Sequence, residues 1–124
     1  MQTTDARSAL DDVRNYYERN TPAFERFGQG GSTGAIHRAV WGDGVSSRDH
    51  AFRYPDELIL REIQNLLPAG GSAPLHVLDM GCGVGASLIF LGSRAPVEGT
   101  GVTLSECQAI RAQNGSGGPG WPIG

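Results

Sequence analysis

The chain has 124 residues, with 13 acidic against 10 basic side chains and a net charge of -3. That balance gives no field to gather nucleic acid or an anionic membrane, and it favours a soluble, small-molecule role for one domain at most. Nineteen glycines, about double the usual share, push toward turns and loops and predict a thin core.

Thr4 or Asp5 is placed to cap a first helix reaching about Asn20, with Ala6, Ala9, Leu10, Val13, Tyr16 and Tyr17 at helical spacing and Thr21-Pro22 ending it. Pro22, capped by Thr21, then opens a short helix carrying Phe24 and Phe27, aromatics whose spacing suits a core. Gly28 to Gly34 is too glycine-rich for a helix or a central strand, and reads either as a linker or as a lid that closes on a ligand. His37 is open to a base role as well as a structural one. Ser46 to His50 is polar and irregular. Tyr54-Pro55-Asp56 opens a second helix through Leu67, where Leu58, Ile59, Ile63, Leu66 and Leu67 form an apolar stripe and Pro68 is the stop. The run from Ala69 to Pro74 separates this helical cap, residues 1–68, from a second unit at 69–114.

That unit is organised around Val77-Leu78-Asp79-Met80-Gly81-Cys82-Gly83-Val84-Gly85-Ala86. The apolar run from Leu75 to Leu78 is too short for a helix and reads as a buried parallel strand. The three alternate glycines then make a tight turn into a helix at about Gly85. Without side chains at Gly81 and Gly83 the backbone bends sharply and admits a ligand closely, and the first amides of the next helix favour an anion. A nucleoside-bearing ligand fits such a turn. Cys82 inside it reads as a small packing residue rather than a nucleophile. The following helix, Ala86 to about Leu91, offers Leu88, Ile89 and Leu91 to the sheet, and a second parallel strand follows from about Glu98 to Thr103. Both strands then open on the same edge, where open α/β sheets bind ligands.

Two ligand classes compete for the turn. Gly81, Gly83 and Ala86 satisfy the looser dinucleotide pattern, but the ribose-binding acid expected about twenty residues on is missing, since Glu98 lies before the second strand. A nicotinamide oxidoreductase is therefore the weaker reading. Asp79, two residues ahead of the first glycine, instead sets a carboxylate where it can hold an ammonium group through water, which suits S-adenosylmethionine. Ser105 and Gln108 have the spacing of a capping box, so Gln108 reads equally as a cap and as a ligand contact.

Val77 to Gly85 resembles the first motif of the class I S-adenosylmethionine-dependent methyltransferases. Gly101-Val102-Thr103-Leu104-Ser105 with Gln108 is similar to the branch that holds cyclopropane-fatty-acid-synthase-like and small-molecule C-methyltransferases. The resemblance implies a Rossmann-like α/β fold, with Asp79, Gly81, Cys82, Gly83 and Gly85 lining the cofactor pocket and Thr103, Leu104 and Gln108 at its ribose end. Tyr17-Glu18, Phe24, Ile36-His37 and Trp41-Gly42 resemble the N-terminal region of the same enzymes. By that resemblance Tyr17, His37 and Trp41 belong to a lid over the cofactor. No catalytic base and no metal site are implied.

A last helix starts at Ser105, with Ile110 on its apolar side, and the Gly/Pro-rich run of residues 115–124 cannot continue it and is expected to be disordered. Leu75 to Asn114 suffices for one strand-helix-strand unit of about thirty residues and a helix, against about four to six strands in a typical open sheet. The expected architecture is a truncated Rossmann-like sheet with an N-terminal helical cap, whose open edges seek partner chains or self-associate. The expected function is methyl transfer to carbon or oxygen of a small, apolar or isoprenoid-like acceptor. A fragment that binds cofactor or a partner without catalysis is the alternative. With two cysteines that suit neither a disulfide framework nor a zinc site, no apolar N-terminal signal and no membrane-length run, the expected setting is the cytoplasm.

Overall fold

The computed structural model describes residues 6–27, 38–69 and 73–115, with the backbone alone at 24–27. Helix α1 (Ala6–Phe27) runs unbroken with Pro22 inside it, where the sequence predicted a stop and a fresh start. Proline deprives the helix of one donor. Neighbouring side chains reinforce the turn before it: Asn20 Nδ2 donates to the Tyr16 carbonyl and Thr21 Oγ1 to the Tyr17 carbonyl, each at 2.7 Å. The predicted apolar face of this helix is open, with Leu10, Val13 and Tyr16 all exposed, and its buried anchor is the polar Thr21. The Thr4 or Asp5 cap, the Gly28 to Gly34 run and the Phe24 and Phe27 side chains lie outside the described residues.

Helix α2 (Arg48–Leu66) begins well before the expected Tyr54. Ser47 caps it by accepting from the His50 amide at 3.2 Å, and Asp49 places a negative charge in the first turn. Pro55 is therefore interior, and it cannot donate to the Ala51 carbonyl. The amide of Val40 donates to that carbonyl instead, at 2.8 Å, which ties the preceding loop to the helix. Of the predicted stripe only Ile63 is buried and Leu67 partly so; Leu58, Ile59 and Leu66 face solvent, and Ala51, Phe52 and Leu60 pack in their place.

Strands β1 (Leu75–Met80) and β2 (Val97–Val102) pair in parallel, from Leu75 opposite Val97 to Met80 opposite Val102, as the sequence pattern requires. Helix α3 (Ala86–Gly92) makes the crossover between them, and α4 (Glu106–Gly115) follows, ending one residue later than expected. The core gathers Ile63 of α2, Phe90 and Leu91 of α3 and Val97 of β2, with Leu60, Leu75, Val77 and Ala95 against it. The guanidinium groups of Arg53 and Arg94 lie 4.7 and 3.9 Å from the Phe90 ring centre, so this edge of the core is closed by cations on an aromatic face.

Among the described residues, only one face of the sheet is covered. Leu78, Met80 and Val102 are 60%, 82% and 43% exposed, whereas β1 was expected to be buried. Parallel sheets are normally covered on both faces, and the described helices α2 and α3 supply the cover for Val97, Gly99 and Gly101. Ile110, expected on the apolar side of α4, is exposed as well. The buried positions of α4 are Gln108 and Ala112, one turn apart.

Candidate functional site

The turn after β1 is tied to the end of β2. The amides of Gly81 and Cys82 both donate to the Val102 carbonyl, at 2.8 and 2.9 Å, and the Gly85 amide donates back to the Cys82 carbonyl at 2.8 Å. Gly81, Gly83 and Gly85 all have left-handed φ, at 100°, 55° and 77°. At Gly81 a Cβ would have open space around it, so the backbone there is bare to its surroundings. At Gly85 a Cβ would stand 3.1 Å from that of Ala112, so α4 packs directly on the turn. The absence of a side chain leaves open space at the first position and serves helix packing at the last.

Asp79 lies opposite Gly101 on the covered face of the sheet. Burial raises its pKa above the usual 3.8, and the nearby Asp56 carboxylate adds to the rise. Asp56 is itself buried and paired with Arg53 at 3.3 Å. Among the described residues no donor hydrogen-bonds the Asp79 carboxylate, which keeps its acceptor capacity at the strand's carboxyl end. Cys82 is buried against Gly101, and burial followed by the Asp79 charge raises its thiol above 9.0. A thiol so shifted is a poor nucleophile, in keeping with the packing role predicted for it.

Just beyond the end of β2, Thr103 and Gln108 meet. Thr103 Oγ1 donates to Gln108 Oε1 at 3.1 Å and accepts from the Ser105 amide at 3.3 Å. The predicted cap is half realised: Ser105 Oγ accepts from the Gln108 amide at 3.2 Å, but the Gln108 side chain does not return to the Ser105 amide. It is buried and donates from Nε2 to Thr21 Oγ1 at 3.0 Å. The start of α4 is completed from α1. Glu18 Oε1 accepts from Ser105 Oγ at 2.9 Å and from the Cys107 amide at 3.3 Å, a long-range cap that sequence spacing did not reveal.

The remaining candidates are dispersed. Tyr17 is half-buried on the turn of α1 that carries Glu18 and Thr21, with its ring edge-on to Tyr16 at 5.5 Å. Trp41 is 61% exposed on the loop bound to α2, and Leu104 is exposed beside Thr103. His37 lies outside the described residues. Among those residues no three His, Cys, Asp or Glu side chains cluster as a metal site requires, and no helix is long and apolar enough to cross a membrane.

No family model matches the chain. It is 35% identical over 80 residues to the O-methyltransferase resE of Aspergillus sclerotiorum, a match that covers 64% of this chain and 29% of that protein. In fold it is similar to the [4+2]-cyclase SpnF, with a TM-score of 0.68 and 24% identity over 90% of this chain and 40% of that one. The mycolic acid cyclopropane synthase CmaA1, in a structure complexed with SAH and CTAB, gives a TM-score of 0.68 and 21% identity over 92% of this chain and 38% of its own. The chain thus spans less than a third of the curated relative it matches and about two fifths of these solved structures. Over that span it has part of the Rossmann-like fold of the class I S-adenosylmethionine-dependent methyltransferases, a fold it shares with the cyclase and the cyclopropane synthase alike.

Proposed function

We propose that the chain forms the cofactor-binding part of an S-adenosylmethionine-dependent methyltransferase acting on carbon or oxygen of a small, apolar or isoprenoid-like molecule. The observation that carries this reading is the convergence of three features on one sheet edge: the Asp79 carboxylate, the open left-handed turn at Gly81, and the Thr103 hydroxyl at the end of the paired strand.

The residues fit the group in chemistry. Asp79 would face the ammonium of the amino-acid part, the bare backbone at Gly81 would let the ligand lie close, and Thr103 would take a ribose hydroxyl. When bound, the cofactor supplies an electrophilic methyl on a positively charged sulfur. The protein's task is then alignment and exclusion of water, and the residues named here bind and orient rather than exchange protons. Leu104, Gly83, Gly85 and Cys82 complete the pocket edge in this reading, and Tyr17, His37 and Trp41 its lid. Residues 1–68 would act as the helical cap and 69–114 as the cofactor-binding unit. The free thiols of Cys82 and Cys107 suit a reducing, cytoplasmic setting.

A second reading, binding without catalysis, draws on the exposed Leu78, Met80 and Val102, a surface suited to self-association or a partner chain. Titration of the chain with S-adenosylhomocysteine tests the cofactor reading. Binding is expected, and Gly81→Ala, which strains the left-handed turn and adds a methyl to the bare backbone, should weaken it; a folded chain that binds nothing overturns it. Methyl transfer to small acceptors then separates the two readings.

A further inference from the structure

The hydrogen bonds at the end of β2 form a chain with one direction. Thr103 Oγ1 donates to Gln108 Oε1, Gln108 Nε2 donates to Thr21 Oγ1, and Thr21 Oγ1 donates to the carbonyl of Tyr17. A backbone carbonyl only accepts, so while Thr21 keeps its 2.7 Å bond to Tyr17 the polarity of every link before it is fixed. The single proton of Thr21 is spent on Tyr17, which leaves lone pairs toward Gln108. The Gln108 amide must then turn its NH2 to Thr21 and its oxygen to Thr103. Reversing it would either set two oxygens without a proton between them at 3.0 Å or cost Thr21 its 2.7 Å bond to Tyr17, at a site where Thr21 is fully buried and Gln108 4% exposed.

The consequence reaches the pocket edge. With its proton given to Gln108 and one lone pair taken by the Ser105 amide, Thr103 has one lone pair left. We propose that Thr21 is a positioning residue which, through Gln108, commits Thr103 to accept from the ligand, so that this end of the pocket reads a donating hydroxyl and refuses a group that only accepts. The inference rests on the cofactor reading and sharpens it. The favoured ligand is a nucleoside with free ribose hydroxyls, and a ribose bearing a phosphate at that position is rejected. It also gives a purpose to the unbroken course of α1, which delivers Thr21 one residue ahead of Pro22.

The test has a ligand-free and a ligand-bound arm. In the ligand-free chain, the Gln108 side-chain NH2 followed by nuclear magnetic resonance should exchange slowly with solvent in the wild type and in Thr21→Ser, and rapidly in Thr21→Val. By calorimetry, the wild type and Thr21→Ser should prefer S-adenosylhomocysteine about fivefold to tenfold over its 2′-deoxy or 3′-deoxy counterpart, about the value of one hydrogen bond, and Thr21→Val should lose most of that preference. Fast exchange in the wild type, or full discrimination retained in Thr21→Val, overturns the proposal. A protected amide in a wild type that binds none of these ligands upholds the hydrogen-bond chain and overturns the cofactor reading.

Discussion

Glu18 and Ser105, 87 positions apart, are joined by a 2.9 Å hydrogen bond in which the serine hydroxyl donates to the carboxylate. The Cys107 amide donates to the same oxygen at 3.3 Å, so one side chain of α1 holds down the start of α4. These bonds, the serine's foremost, lower the Glu18 pKa from 4.5. The folded chain therefore holds the Glu18 proton less tightly than the unfolded one. Its contribution to stability is complete above 4.5 and is lost as the pH falls through the lowered folded value. Glu18→Gln should lower the melting temperature at neutral pH, and the gap from wild type should close on acidification. A gap that is constant with pH would mean that the ionised carboxylate contributes nothing particular.

Gly101 sits where β2 passes Cys82. A Cβ built there would be 2.6 Å from Cys82 Sγ, 2.9 Å from Cys82 Cβ and 3.2 Å from Leu88 Cδ1. Gly101→Ala should therefore cost about 1–3 kcal/mol in denaturant unfolding, as overpacking of a closed core does. Cys82→Ala removes the nearer of the two Cys82 atoms and should recover part of that loss in the double variant, a coupling that two independent sites would not show.

The strand-turn-helix-strand unit was legible because its signals are local: an apolar run, three alternate glycines and a second run at crossover distance. The helical half was misread where partners came from elsewhere. Pro22 and Pro55 each looked like a boundary, yet Asn20 and Thr21 reinforce the turn before one, and the Val40 amide meets the carbonyl freed by the other. The Ser105-Gln108 spacing left Gln108 open as a cap or a ligand contact, and the cap at this helix start is completed by Glu18 from another helix. The glycine turn and the strand ends that carry Asp79 and Thr103 were legible in the sequence; the contacts of Thr21 and Glu18 with the start of α4 were not, because a lone Thr before proline and a lone Glu on a helix carry no pattern of their own.

Ser47 offers a direct check on the early start of α2. Its hydroxyl accepts from the His50 amide, whereas Ser46 makes no such cap. Ser47→Ala should cost about 1 kcal/mol in chemical unfolding, and Ser46→Ala close to nothing. Equal effects from both would move the helix start back toward Tyr54.

Asp79 sets stability against binding. Burial, and then the Asp56 charge, raise its pKa above 3.8, so the folded chain holds its proton more tightly than the unfolded one. Stability tied to this group is full below 3.8 and declines as the pH rises through the raised folded value, leaving a net cost at neutral pH. Asp79→Asn cannot ionise, and it should melt higher than the wild type at neutral pH, with the advantage vanishing in acid. If Asp79 faces the ammonium group as proposed above, the same change removes that charge, and affinity for S-adenosylhomocysteine should fall by about tenfold or more, the value of a charge-assisted hydrogen bond. A variant both stabler and weaker in binding identifies Asp79 as a carboxylate held in a costly place for its ligand. A variant less stable at neutral pH would instead make it a structural residue whose partner the wild type needs in order to fold.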